Sequence, residues 1–589
     1  MTLIALAASA LVAAAPPLST VAERSGFRQT GRYEEVIRLC DAFARAHAAR
    51  ARCSTFGTTP EGRPMKVLVA SGDGVLTPQL ARRRGRPVLF AIGGIHAGEI
   101  DGKDAGFLLL RQLLDGTIPP KLLRDVTFVF VPVFNVDGHE RFGSGPNQRP
   151  NQRGPEETGW RTTGQNLNLN RDWVKADAPE MRAMLGLLRD WDPIALLDLH
   201  VTDGARFEHD VAVLIEPVLA GAEAMRGLGR KARDRVLARL EAQGHLPLPF
   251  YPLLDDETDP MSGFAAGVAP PRFSQSYLAV RNRFGVLVET HSWKEYPVRV
   301  RATRDVVLAF LEAAADEGRA WLDAARKADA QDSAPGAAEV VLTWQRGKSS
   351  KTIDFRGYAY SRDKSDVSGQ YWIRYDESKP QVWRVPYSDE ISPGLRVQTP
   401  GAGYVVPAAH AALVSEKLRA HGFRFDTLRT ADAREAQVFR ATEVKLAPTS
   451  FEGRQGATLS GSWSTERVEL APGSLFVPAA QPARPLLAHL LEPLGPDSLA
   501  AWGFFNAVFE QKEVMDDSLV EAAAREMITR DPALKQAFEA RLRSDPAFAQ
   551  SPLARLRFFA MRHPSWDRRL NLVPIYRVDQ PPPWAKSGR

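Results

Sequence analysis

The sequence predicts an α/β protein: a mostly parallel, twisted sheet with helices on both faces, followed by a β-rich and then a helix-rich C-terminal region. In the first half, short apolar runs alternate with patterns of helical period. Such alternation is typical of a parallel sheet covered by helices. Beyond residue 338 the pattern changes to short predicted strands rich in Trp, Tyr and Thr, as at 370–375 and 381–385, and from residue 497 onward helical patterns prevail.

The elements of the first half are predicted from the period and length of their apolar runs. Residues 126–133 (VTFVFVPV) form a continuous apolar run bounded by Asp125 and Asn135, which favours a strand buried on both faces. The other predicted strands are 65–70, 87–92, 194–199 and 285–288. The predicted helices are 34–49, 102–114, 179–190, 222–243 and 302–328.

A chain of 589 residues is too long for one ordinary domain. Residues 1–14 are typical of a signal peptide, because the run is apolar, too short to span a bilayer and followed by small residues; a buried N-terminal helix is the alternative. A polar, small-residue segment at 327–338 indicates a linker. We therefore expect a catalytic domain at 21–330, a β-rich accessory domain at 339–480 and a helix-rich region at 481–589.

Composition and charge exclude several classes of protein. The formal charge of +6 comes from 76 basic and 70 acidic residues, without a run of five Lys or Arg, so a nucleic-acid partner is not expected. No segment after the signal peptide reaches eighteen apolar residues, so no membrane span is expected in the mature chain, and we expect an exported, periplasmic or extracellular protein. In such a compartment Cys40 and Cys53 could pair; two buried thiols are the alternative.

Polar residues follow three of the predicted strands, where the sites of open α/β sheets lie. A catalytic zinc ion takes three protein ligands, commonly His and a carboxylate, and leaves one position for water. His96, Glu99 and His200 fit that set, with one Zn²⁺ per chain. Glu289 stands where a carboxylate base beside the water is needed. The three strand-end segments are GGIHAGE at 93–99, DLH at 198–200 and VETH at 288–291.

This ordered set resembles the zinc carboxypeptidase family of the pancreatic carboxypeptidases A and B, over roughly residues 25–320. The resemblance implies that His96, Glu99 and His200 bind zinc and that Glu289 is the general base and later the proton donor. It also implies that Arg161 polarises the scissile carbonyl and that Asn170 and Arg171 hold a terminal carboxylate. A guanidinium binds a carboxylate through two parallel hydrogen bonds, so peptides with a free C-terminal carboxylate are the expected substrates.

The chain departs from the animal enzymes at several positions. Asn168 replaces an Asp that hydrogen-bonds a zinc-binding His, and Gly98 replaces a substrate-contacting Arg. Tyr277 is the candidate for the tyrosine that covers the substrate, with Tyr251 and Tyr296 as alternatives. The C-terminal region is similar to the extra region of larger bacterial members, for which the resemblance predicts no defined role.

Some alternatives stay open from sequence alone. Asp198 shares a strand face with His200 and either supports that ligand or is a buried acid with other partners. His291 and Glu295 would form a competing metal site only if Glu289 faced away. A zinc deacylase of the aspartoacylase or succinylglutamate desuccinylase kind would use a similar triad, although the Asn-Arg pair favours peptide ends. A binding protein with a decayed site would not need to keep both the ligands and Glu289.

Overall fold

The main sheet has eight strands. A computed structural model describes residues 18–585, so the predicted signal peptide at 1–14 lies outside the described residues. In sheet order the strands are Ala51–Thr58, Pro64–Ala70, Thr127–Val131, Val88–Gly93, Ala195–Thr202, Phe284–His291, Val211–Glu216 and Pro247–Leu248.

The middle of this sheet is parallel. The four strands from Thr127–Val131 to Phe284–His291 in sheet order pair in parallel, and antiparallel neighbours flank them on both sides. Every residue of these four strands is buried, as continuous apolar runs predict. Their carboxyl ends therefore meet at one edge of the sheet. The predicted mostly parallel core is confirmed.

Helices cover both faces of the sheet. Leu196 pairs with Gly285 and Leu199 pairs with Val288, so these two pairs lie on opposite faces. A side chain added at Gly102 would meet Leu199, and one added at Gly285 would meet Gln275. Gly102 and Gln275 belong to two different helices, which therefore pack on opposite faces.

The helices of eight residues or more are Tyr33–Ala46, Asp101–Asp115, Pro179–Trp191, Glu223–Ala242, Tyr296–Asp332, Ala408–His421, Arg484–Leu491, Asp517–Arg530, Pro532–Ser544 and Pro552–Ala560. The shorter helices are Val21–Arg24, Pro78–Arg83, Lys121–Asp125, Val136–Glu140, Gly145–Gln148, Ser274–Ala279 and Pro546–Gln550. The 3₁₀ turns are Leu169–Arg171, Pro260–Ser262 and Asn506–Phe509. Within residues 18–585, none of the helices is both long and apolar enough to cross a membrane.

The C-terminal region is built on a long hairpin and a second sheet. The hairpin strands Lys351–Lys364 and Tyr371–Ser388 pair with each other, and the latter also pairs with Phe264–Ala265. The six-stranded sheet consists, in order, of Asp426–Thr427, Leu475–Pro478, Gly403–Val406, Leu572–Val578, Asp432–Leu446 and Ala457–Leu470. Two short ribbons of this region pair Glu339–Val341 with Arg396–Gln398 and Trp344–Arg346 with Ile391–Pro393. A third ribbon, in the first half of the chain, pairs Gly143–Ser144 with Glu157–Thr158.

The six-stranded sheet contains strands from both sides of the predicted domain boundary at residue 480. The strand Leu572–Val578 comes from the predicted helix-rich region, yet it lies between Gly403–Val406 and Asp432–Leu446. The two predicted C-terminal units therefore share one sheet.

Cys40 and Cys53 form a disulfide, with their Cα atoms 5.4 Å apart. The bond joins the helix Tyr33–Ala46 to the edge strand Ala51–Thr58.

Candidate metal centre

A tight turn at the end of the strand Val88–Gly93 carries the first two candidate ligands. Gly94 has a φ of +58°, which glycine adopts without steric cost, and a side chain at Gly93 would meet the Pro132 oxygen at 2.5 Å. After these glycines the backbone N–H of Glu99 donates to the carbonyl oxygen of His96 at 2.9 Å. The turn thus holds both side chains on the same side of the sheet edge.

His96, Glu99 and His200 converge. The Nδ1 atom of His96 lies 3.1 Å from Glu99 Oε1, and the Nδ1 atom of His200 lies 3.0 Å from Glu99 Oε2. One donor atom from each of the three buried residues lies within 4.8 Å of the other two. Among residues 18–585 this is the one such cluster of three or more His, Cys, Asp or Glu. Two imidazoles and a carboxylate at this spacing can hold a zinc ion and leave a position for water.

The outer nitrogens of both imidazoles have partners as well. His96 Nε2 lies 3.0 Å from Asn168 Oδ1, and His200 Nε2 lies 2.9 Å from Asp198 Oδ2. With a metal ion bound, each Nδ1 would present its lone pair to the ion, and each Nε2 would carry the proton beside an oxygen that only accepts. Asp198 therefore supports His200, and Asn168 takes the position that the resemblance gives to an Asp.

Electrostatics differ between the two histidines. Burial lowers the pKa of His96 to about 4, so its ring is neutral at physiological pH. Burial also disfavours the charged form of His200, but the charge and hydrogen bond of Asp198 outweigh it and raise the pKa of His200 well above its ordinary value.

Glu289 faces the same cleft. It is the direct neighbour of His200 in the parallel pairing of their strands, so both side chains project from the same face. Burial raises the pKa of Glu289 to about 8, and the nearby charges of Glu99 and Asp198 act in the same direction, against His200. A carboxyl group with a raised pKa is suited to carry a proton between two reacting groups.

Two arginines contact Glu99. Arg161 Nη1 lies 3.0 Å from Glu99 Oε1, and Arg149 Nη1 lies 2.8 Å from the same atom. Arg149 also donates to the carbonyl oxygen of Val201 at 3.2 Å. Arg149 was not predicted from the sequence. It lies in a loop rich in Pro, Asn and Arg, where only the fold distinguishes one arginine from the next.

Asn170 and Arg171 lie in the 3₁₀ turn Leu169–Arg171 beside this centre. Arg171 donates to the Asn170 carbonyl oxygen at 2.8 Å, and its guanidinium lies 4.2 Å from the centre of the Phe273 ring. These two contacts fix the plane of the guanidinium. Burial lowers the pKa of Arg171, as does the neighbouring charge of Arg161, so an anion would be attracted to this position.

A single cavity of about 1240 Å³ joins these residues. Its apolar wall includes Leu214, Phe250, Phe273 and Leu287, and its volume is large enough for the end of a peptide. The predicted site residues that line it are His96, Glu99, Arg161, Asn170, Arg171, His200 and Glu289.

The structure does not bring Tyr277 to the cavity. Tyr277 is buried, and its hydroxyl lies 3.0 Å from His421 Nδ1 in the C-terminal region. Tyr296 is buried elsewhere, where its hydroxyl contacts Asp104. Tyr251, an alternative of the sequence analysis, does line the cavity, and its hydroxyl accepts a hydrogen bond from Thr202 at 3.0 Å. Tyr251 therefore replaces Tyr277 as the candidate tyrosine.

His291 lies outside the metal centre. Its buried ring stacks on Phe207 with the ring centres 4.0 Å apart, and Glu295 is exposed at the start of the following helix. The competing site that these two could have formed is not assembled in the described part of the chain.

Comparison with known proteins finds a family that part of this chain resembles. The zinc carboxypeptidase family profile matches residues 36–205, a range that contains His96, Glu99 and His200 and ends before Glu289. A search of curated proteins gives no match.

Solved structures similar to this chain include three carboxypeptidases. A metallo-carboxypeptidase from Burkholderia cenocepacia is 17% identical, with a TM-score of 0.34 over 47% of this chain and 68% of that one. A metallo-carboxypeptidase from Pseudomonas aeruginosa in complex with (2-guanidinoethylmercapto)succinic acid is 16% identical, with a TM-score of 0.35 over 48% and 69%. Carboxypeptidase A from Helicoverpa armigera is 15% identical, with a TM-score of 0.34 over 50% and 74%. Residues 36–205 of this chain are therefore similar in sequence to the zinc carboxypeptidase family.

Proposed function

We propose that the protein is a zinc-dependent metallocarboxypeptidase that hydrolyses the C-terminal peptide bond of peptides. The observation that carries the proposal is the convergence of His96, Glu99 and His200 with Glu289 and Arg171 in one cavity. The alternative zinc deacylase and the binding protein without activity are outcomes of the test below.

The donor set fits one zinc ion per chain. Two imidazole nitrogens and a carboxylate are typical ligands of catalytic zinc, and Asn168 and Asp198 lie beside the outer nitrogens of the two imidazoles. When bound, zinc supplies a Lewis acid and a water molecule acidified to near neutral pH.

The residues around the centre would divide the remaining tasks. Glu289 would take the proton of the attacking water and pass it to the nitrogen of the leaving amino acid. The Arg161 guanidinium, which is positively charged and borders the cavity, would stabilise the developing oxyanion by about 3 kcal/mol. Arg171 would bind the terminal carboxylate through two parallel hydrogen bonds, which places the last peptide bond beside Glu289 and restricts cleavage to the chain end.

We also propose that the protein is exported to the periplasm or the extracellular space. The apolar residues 1–14 support this, and so does the Cys40–Cys53 disulfide, because disulfides persist in oxidising compartments.

The proposal is tested by metal analysis and by release of free amino acids from a peptide library. We expect about one zinc per chain, release from peptides with a free C-terminal carboxylate, and little release from the same peptides with an amidated end. Glu289→Gln should retain zinc and lose activity by at least about a hundredfold. Glu295→Gln, at an exposed position six residues further along, is the matched control and should behave as wild type.

Three results would contradict the proposal. Full activity of Glu289→Gln would remove this residue from the reaction. Cleavage within peptides would remove Arg171 from its role. Hydrolysis of N-acyl amino acids without peptide cleavage would favour the deacylase.

A further inference from the structure

A loop of the C-terminal region lies against the metal centre. This bracing loop, residues 447–456, joins the paired strands Asp432–Leu446 and Ala457–Leu470. Its Glu452 reaches a segment of the catalytic domain that we call the clamp segment, residues 166–177, which contains Asn170 and Arg171. The Oε2 atom of Glu452 accepts a hydrogen bond from the backbone N–H of Asn168 at 2.8 Å.

Asn168 is itself hydrogen-bonded to two of the predicted site residues, His96 and Asn170. Its Oδ1 atom accepts from His96 Nε2 at 3.0 Å and from the backbone N–H of Asn170 at 2.9 Å. Glu452 fixes the backbone from which this oxygen projects. One carboxylate of the C-terminal region is therefore two hydrogen bonds away from a metal ligand and from the carboxylate-binding pair.

The far end of the clamp segment is held by the same region. Arg454, two residues after Glu452, donates to both oxygens of Asp177 at 2.8 and 3.0 Å. Lys417 donates to Asp177 Oδ1 at 2.9 Å, and His421 Nε2 donates to the Val174 carbonyl oxygen at 2.8 Å. These contacts are between residues more than 200 positions apart in the sequence, so the clamp segment takes its shape from the C-terminal region.

The ring beneath Arg171 is held as well. The backbone N–H of Arg272, directly before Phe273, donates to Asp497 Oδ2 at 2.9 Å, and its side chain lies 2.6 Å from Asp497 Oδ1. Phe273 in turn lies under the guanidinium of Arg171. The C-terminal region thus holds both the clamp segment and the Phe273 ring on which the Arg171 guanidinium lies.

The backbone of Glu452 adds an independent observation. Glu452 and Gly453 form the two-residue turn between the paired residues Phe451 and Arg454, and their φ angles are +51° and +74°. Glycine adopts such angles more readily than a residue with a side chain does. The Glu452 carboxylate makes the hydrogen bond to the clamp segment, and glycine has no side chain that could make it.

We propose that Glu452 is a positioning residue through which the C-terminal region orients both His96 and the Asn170–Arg171 pair; this inference rests on the proposed function. A carboxylate accepting a backbone N–H forms a charge-assisted hydrogen bond, stronger than one between neutral groups. The role of the C-terminal region is then to complete the active site.

The experiment compares Glu452→Ala, Glu452→Gly and Glu452→Gln in the full-length protein. Loss of the acceptor in the Ala and Gly variants should loosen Asn168, the outer partner of His96, and raise the zinc dissociation constant by up to about tenfold, because removing such a partner outright costs tenfold or more. It should also raise KM for peptides and accelerate hydrogen exchange in the clamp segment. Glu452→Gln keeps an oxygen acceptor and should stay within about threefold of wild type, since only the charge contribution is lost.

The Gly variant separates positioning from folding. It relieves the backbone strain, so it should melt at or above the temperature of the Ala variant while showing the same loss of zinc affinity. Glu443→Ala is the matched control, since Glu443 is exposed on the strand before the bracing loop and pairs with Lys445 at 3.1 Å.

Wild-type zinc affinity, KM and exchange in the Ala and Gly variants would overturn the inference. If the wild-type protein releases no amino acids, the proposed function fails, but zinc affinity and exchange still report on Glu452. The two failures are therefore distinguishable.

Discussion

The two histidines of the metal centre are oriented by different kinds of partner. Asn168 is a neutral acceptor for His96, whereas Asp198 is a charged acceptor for His200. A charged partner makes a ligating imidazole more basic, so in a metal-bound form His200 would donate more strongly to the ion than His96 would. The neutral Asn168 is also compatible with the nearby carboxylate of Glu452, whereas an Asp there would place two negative charges close together.

Because Tyr251 lines the cavity and Tyr277 does not, we expect the Phe variants of these two tyrosines to behave differently. Tyr251→Phe removes a hydroxyl from the cavity and should lower kcat/KM roughly three- to tenfold, the value of one hydrogen bond, with the melting temperature retained. Tyr277→Phe leaves His421 Nδ1 buried without its partner. It should lower the free energy of unfolding by about 1–3 kcal/mol and leave kcat/KM unchanged.

Steady-state kinetics and urea unfolding of both variants decide between the two tyrosines. A loss of kcat/KM in Tyr277→Phe, with Tyr251→Phe fully active, would restore the assignment made from sequence.

At the scale of elements, apolar pattern predicted the buried strands well. The predicted strand 87–92 is Val88–Gly93, and the predicted strand 126–133 is Thr127–Val131, because strands buried on both faces are continuous apolar runs. The strand Ala51–Thr58 was missed, since it lies at the sheet edge, most of its residues are partly or fully exposed, and its sequence ARCSTFGT lacks an apolar run. The hairpin strand Tyr371–Ser388 was predicted as two shorter strands because neither of its faces is uniformly apolar.

The candidate site was predictable where a residue's role follows from its place at a strand end. His96 and Glu99 follow a buried strand, and His200 and Glu289 lie near the carboxyl ends of two others, so position along the chain indicates position in space. Arg149 and Tyr251 lie in long loops, and their approach to the cavity depends on packing between distant segments. The pattern of residue types along the sequence does not reveal that packing.

The disulfide ties the edge strand Ala51–Thr58 to the helix Tyr33–Ala46. It closes a loop between positions 13 apart, and in the chain-entropy model such a loop stabilises the folded state by about 3 kcal/mol. Cys40→Ser with Cys53→Ser should therefore lower the free energy of unfolding by that amount in oxidising buffer. In a reducing buffer the wild-type protein and the double variant should unfold at the same urea concentration.

Urea unfolding followed by circular dichroism, with and without dithiothreitol, measures this difference. Equal stability of the double variant and the oxidised wild-type protein would show that the bond does not constrain the unfolded chain.

At the scale of the whole molecule, the C-terminal region packs against the domain that carries the candidate metal centre. Its last strand, Leu572–Val578, returns to the middle of the six-stranded sheet, so the region closes on itself rather than ending as a separate helical unit. The hairpin strand Tyr371–Ser388 and the bracing loop contact the catalytic domain at two separate places. The predicted linker marks a change of composition, and composition does not reveal contacts between distant segments.

Asp177 connects the two parts and should make their association sensitive to acid. Burial alone would raise the pKa of Asp177, but the hydrogen bond from Arg454 and the charge of Lys417 outweigh it and lower the pKa from 3.8 to about 2. Because the folded-state pKa is the lower one, the stabilisation is fully present above pH 4 and is lost as the pH falls toward 2. It is on the order of 2 kcal/mol.

Asp177→Asn removes this titrating group while keeping a side chain of similar size. We expect the variant to be less stable than wild type at pH 7, by a gap that narrows between pH 4 and pH 2, because acid removes from the wild-type protein the same ion pairs that the substitution removes. Urea unfolding at pH 7, 5 and 3 measures the gap, with Asp366→Asn, an exposed aspartate of the hairpin turn, as the control. A gap that stays constant from pH 7 to pH 3 would show that the charge of Asp177 does not join the two parts of the molecule.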